Sequence, residues 1–116
     1  MKRRIITMGI PYPRVCAHRG LSALLPANSL EALEAGAAAG AQEIEFDLRL
    51  LGDGMIVLRH DPVGLMGPGK AARLATFEGV LERLAGRVVM NIHIKVPGAV
   101  AGAVEAINRH GCRDSV

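Results

Sequence analysis

The sequence predicts an α/β fold on a mainly parallel sheet, and three observations carry that expectation. Strand-like and helix-like segments alternate in the order β-α-β-β-α-β-α, which implies crossover connections. The apolar half of the chain is Ala, Leu, Val and Ile, with only 3% aromatic residues, a composition that suits packed α/β layers. Charged and titratable residues collect at the ends of the strand-like runs.

The elements follow in order. RVCAHRG (Arg14–Gly20) reads as a short strand stopped by Gly20. In PANSLEALEAGAAAG, Asn28 is placed to cap a helix with Glu31 as its capping-box partner, and Gly40 ends it. EIEFDLRL and MIVLRHD are strands on either side of GDG, a hairpin signal. A shared sheet edge for Asp47 and His60 instead has the chain run back down through LRLLGDG and climb again, giving parallel strands. ATFEGVLERLAG reads as a helix capped by Thr76, RVVMNIHIK as a strand closed by Pro97-Gly98, and AVAGAVEAINRHG as a helix stopped by Gly111. CRDSV reads as the opening of another strand.

At 116 residues the chain is one domain, and half apolar composition supports a packed core rather than disorder. The net charge of +3 neither requires nor excludes an anionic partner, and few aromatics argue against nucleic acid. Cys16 and Cys112 have no CxxC or Cys/His spacing and are expected to be buried free thiols. The basic start MKRR reads as solvated surface, and the apolar run after it is too short for a signal peptide. No stretch approaches a membrane span, so the expected location is cytoplasmic.

The reactive residues concentrate at strand ends. His18 and Arg19 end the first strand, and Glu45 and Asp47 share one face of the second. His60 and Asp61 end the third, and His93 and Lys95 the fourth. In parallel α/β proteins that edge is where active sites form. Two neighbouring carboxylates repel unless a cation or bases lie between them. Glu45 and Asp47 therefore either ligate a divalent metal or pair with Arg19 and Lys95. His18 and His60 could serve as general acid and base, and Arg19 and Lys95 could balance an anionic substrate. Asp53-Gly54 is turn chemistry, and MGPGK lacks the spacing and the Ser/Thr of a phosphate loop.

These residues resemble a known family. From Val15 to Pro62 the order AHRG, PANS, IEFD, GDG and RHDP is similar to the HRG, PENT, IExD, DG and HDP pattern of glycerophosphodiester phosphodiesterases. The resemblance resumes at TFEGVLERLAGRVVMNIHIK. It implies a TIM-barrel-type (β/α) half-barrel of about four parallel strands, with a β-hairpin-like link between strands 2 and 3. Residues 1–116 would form a single incomplete domain, the N-terminal half of a barrel. It implies metal-dependent hydrolysis of glycerophosphodiesters to an alcohol and glycerol 3-phosphate. By position, His18 and His60 match the acid–base histidines, Arg19 and Lys95 the substrate- and phosphate-binding cations, and Glu45 and Asp47 two metal ligands. His93 stands where the family usually has a third, glutamate ligand. Mg²⁺ or Ca²⁺ follows from the resemblance, whereas an imidazole suits Mn²⁺ or Zn²⁺. Ala27 replaces the glutamate of PENT, and the segment from Pro62 to Leu74 is short where the family usually covers its substrate. The expected partners are a small-molecule phosphodiester and a second copy of the chain, since a homo-oligomer would cover the open edges of a half-barrel. The alternative is a non-catalytic, degenerate half-barrel that binds phosphate esters or a partner chain.

Overall fold

The computed structural model describes residues 14–64 and 66–116. Tyr12 and the MKRR run lie outside the described residues. The organising element is β2 (Glu43–Leu50), whose two faces differ in chemistry. Ile44, Phe46 and Leu48 alternate with Glu45 and Asp47, so one face is apolar and the other carries carboxylates. The apolar face joins a core with Leu33, Leu58, Phe77, Val80, Leu81, Leu84, Met90 and Ala103.

Around β2 stand β1 (Cys16–His18), β3 (Ile56–Leu58) and β4 (Val89–Ile94). β4 pairs parallel along one edge of β2, from Glu43↔Val89 to Leu48↔Ile94. β1 pairs parallel with the first half of β2, His18 lying beside Glu45. β3 pairs with the second half, Leu48↔Leu58 and Leu50↔Ile56, and runs antiparallel. The expectation of four parallel strands is thus corrected to three, with β3 the return arm of the expected hairpin link. The reason is that β2 outruns both parallel neighbours, so its far end must be paired by a strand folding back at Gly52–Gly54. Spatial order is then not sequence order.

Helices α1 (Leu30–Ala38), α3 (Phe77–Leu84) and α4 (Val100–Arg109) pack on the sheet, and a single turn, α2 (Pro68–Ala71), precedes α3. Thr76 caps α3 as expected, its Oγ1 accepting from the Gly79 N–H at 3.0 Å. The cap of α1 is Ser29, not Asn28: Ser29 Oγ accepts from the Ala32 N–H at 3.1 Å. CRDSV forms a 3₁₀ turn over Arg113–Ser115 rather than a strand. Cys112 is buried, but Cys16 is exposed, because β1 is an edge strand.

Gly20 sets the angle between β1 and α1. Its φ is +82°, and a Cβ there would stand 2.4 Å from the Ala32 carbonyl carbon. Only glycine permits both the turn and that approach. Among the described residues no helix is long and apolar enough to cross a membrane.

Candidate active site

β1 ends at His18, Lys95 directly follows β4, and both points flank the carboxylate face of β2. Glu45 is only 3% exposed and Asp47 only 1%, so both charges require partners. Glu45 Oε2 accepts from the Arg19 N–H at 3.1 Å and lies 3.5 Å from His18 Nε2. Its other oxygen, Oε1, lies 3.0 Å from His93 Nδ1. Asp47 Oδ1 lies 3.5 Å from Lys95 Nζ and 3.8 Å from His93 Nδ1, and Oδ2 lies 3.7 Å from Arg19 Nε. Six of the seven expected site residues therefore form one contiguous cluster.

His60 is the seventh. The hairpin and the shared edge, which the sequence sets against each other, are both realised. β3 returns beside β2, so the Arg59 N–H donates to the Asp47 carbonyl at 3.0 Å and His60 follows at the same edge. The Arg49 guanidinium donates to the His60 carbonyl at 2.6 and 3.2 Å, which ties down the strand end. The His60 ring does not touch the carboxylate pair. Its Nδ1 is 3.0 Å from Asp61 Oδ1, and that hydrogen bond, aided by the charges of His60, Arg59 and Arg19, holds the Asp61 carboxyl below its ordinary range. His60 and Arg19 line a shared cavity of about 400 Å³.

Asn28 belongs to the site, and sequence reasoning placed it elsewhere. On the edge of β2 shared by β1 and β3, β1 stops at Glu45 and the β3 pairing begins at Leu48. The Asn28 side chain fills the gap: its Oδ1 accepts from the Asp47 N–H at 3.0 Å, and its Nδ2 donates to Asp47 Oδ2 at 3.1 Å. It does so from φ = +61°, a region Asn tolerates better than most residues. Arg19, at φ = +58°, shares that strain.

The donor set fits a divalent cation. One oxygen each of Glu45 and Asp47 and one nitrogen of His93 lie within 4.8 Å of one another. Glu45 Oε1 is buried and has no hydrogen bond, as a ligand atom would be. Carboxylate oxygens with one imidazole suit Mn²⁺ or Zn²⁺ as well as Mg²⁺. The pairing with Arg19 and Lys95 is realised too, so cations surround the carboxylates without displacing the ligand atoms that face His93.

Residues 18–70 match the Glycerophosphoryl diester phosphodiesterase family. Over 120 aligned residues the chain is 32% identical to the Mycobacterium tuberculosis protein named probable glycerophosphodiester phosphodiesterase 2, covering 86% of this chain and 45% of that one. Its fold resembles the glycerophosphodiester phosphodiesterase of Agrobacterium tumefaciens, with TM-score 0.78 and 25% identity over 89% of this chain and 56% of that one. It also resembles a phosphodiesterase of Oleispira antarctica solved with the product sn-glycerol-3-phosphate, with TM-score 0.69 and 25% identity, covering 84% of this chain and 53% of that one. The β1-β2-β4 sheet with its helices is thus a partial TIM-type barrel. The chain spans about half the length of these relatives.

Proposed function

The chain belongs to the glycerophosphoryl diester phosphodiesterase family, and from that premise we propose that its strand-end cluster hydrolyses glycerophosphodiesters to an alcohol and glycerol 3-phosphate with the help of a divalent cation. The observation that carries this reading is the convergence of Glu45, Asp47 and His93 on one point, ringed by His18, Arg19 and Lys95.

Glu45, Asp47 and His93 would hold the cation, which when bound polarises a phosphate oxygen as a Lewis acid. Arg19 and Lys95 flank the same carboxylates and present positive charge to an anionic phosphodiester and to the charge that grows on it in the transition state. Two histidines divide the proton transfers. One deprotonates the attacking water or glycerol 2-hydroxyl, and the other protonates the leaving alkoxide; where the 2-hydroxyl attacks, water then opens the resulting cyclic phosphate to give glycerol 3-phosphate. Asp61 stays ionised and orients His60 through Nδ1, which leaves Nε2 as the atom that exchanges a proton. The product sn-glycerol-3-phosphate bound by the Oleispira antarctica relative supports a small phosphodiester substrate here.

The test is release of glycerol 3-phosphate from a glycerophosphodiester in the presence of Mg²⁺, Ca²⁺ or Mn²⁺. His18→Ala and His60→Ala should each lower the rate by roughly 10²–10⁴-fold. A folded, metal-loaded chain no faster than His60→Ala would leave the non-catalytic phosphate-ester-binding reading in its place.

A further inference from the structure

The cavity beside His60 carries charge that the hydrolytic reading does not use. Its walls include Arg19, Arg59, Arg73 and His60 against a single acid, Asp61, which is already hydrogen-bonded to His60. Arg19 faces Asp47. Arg59 and Arg73 form no ion pair among the described residues. Two guanidinium nitrogens on these walls, Arg19 Nε and Arg59 Nε, are buried without a hydrogen-bond acceptor. The excess of guanidinium charge over acid on the walls of one cavity favours an anionic occupant.

Two features of the chain add to this. Ala27 lines the same cavity, at the position where the family pattern carries a glutamate, so a negative charge expected there is missing. Arg73 lines the same cavity together with Leu74 and Ala75. At about 400 Å³ the cavity is far larger than a phosphate oxygen needs. A glycerol moiety is neutral and does not match spare arginines, whereas the variable alcohol of a phosphodiester can carry charge.

We propose that this cavity binds a negatively charged group, a carboxylate or a phosphate, on the alcohol side of the phosphodiester, with Arg59 and Arg73 as its recognising side chains. The proposal rests on the hydrolytic reading of the neighbouring cluster and names the substrate class that reading leaves open.

The test uses three diesters of sn-glycerol 3-phosphate whose alcohols have near-equal size: 3-hydroxypropanoate, propanediol and ethanolamine. Their termini are anionic, neutral and cationic. Affinity by calorimetry and kcat/KM are measured on the chain and on Arg73→Glu, an exposed position where folding is not at stake. The carboxylate diester should bind about tenfold better than the ethanolamine diester, and Arg73→Glu should level or invert that order, with the neutral diester losing clearly less than the carboxylate diester. Equal affinity for all three overturns the proposal even if all are hydrolysed. So does an equal loss for all three in Arg73→Glu, which would make Arg73 a ligand of the shared phosphate. If none is hydrolysed but the order of affinities stands, the anion site holds and the hydrolytic reading falls.

Discussion

Asn28 holds Asp47 at both ends of its amide, accepting from the Asp47 N–H and donating to the Asp47 carboxylate. Asp47 thereby keeps one oxygen bound and turned away, while Oδ1 faces His93 and Lys95. Asn28→Ala removes two buried hydrogen bonds and places Ala at positive φ. It should cost about 2–4 kcal/mol in urea unfolding. Asn28→Gly loses the same bonds without the backbone strain and should be less damaging by about 1 kcal/mol. Wild-type stability in Asn28→Ala would contradict the assignment.

Gly20 makes a second prediction at the same edge. Gly20→Ala drives a methyl group into the backbone of α1 from a left-handed conformation. It should lower stability by about 3 kcal/mol or more, since backbone, unlike a side chain, cannot give way. Thermal unfolding checks this, and a change within about 0.5 kcal/mol would mean that α1 shifts freely.

How far the sequence could be read depends on the kind of signal. The strand ends were visible because Glu45 with Asp47 and His93 with Lys95 interrupt apolar runs at a spacing of two, and His18 closes the first run. Asn28 was misplaced because Asn28 and Ser29 are both good cap residues in tandem. Which of them caps and which turns inward is decided by the gap in the β2 ladder, a tertiary feature. The direction of β3 was ambiguous because a two-residue period does not report that β2 is longer than its neighbours. The cavity with Arg59 and Arg73 was hidden altogether, since its walls come from three separate loops and strand ends.

Away from the site, Glu78 joins α3 to the end of α4 through Arg109 and His110. The Arg109 hydrogen bond first, then that of His110, holds the Glu78 carboxyl below its ordinary range. A carboxyl lowered by folding contributes stability that is full above its unfolded value, near ~4.3, and is lost as pH falls through the lowered folded value. Glu78 is about half exposed, so screening keeps the contribution below about 1 kcal/mol. Thermal melts of the chain and of Glu78→Gln should differ at neutral pH and converge in strong acid. A gap that persists or widens in acid would contradict the linkage.

The central claim is that Glu45, Asp47 and His93 bind one divalent cation, and calorimetric titration with Mn²⁺ tests it most directly. The account predicts one site per chain in the wild type. It predicts a loss of affinity of at least about tenfold in both Glu45→Gln and Asp47→Asn, with far-UV circular dichroism unchanged, because each amide keeps the hydrogen bonds its carboxylate accepts. Unchanged affinity in both variants would contradict it.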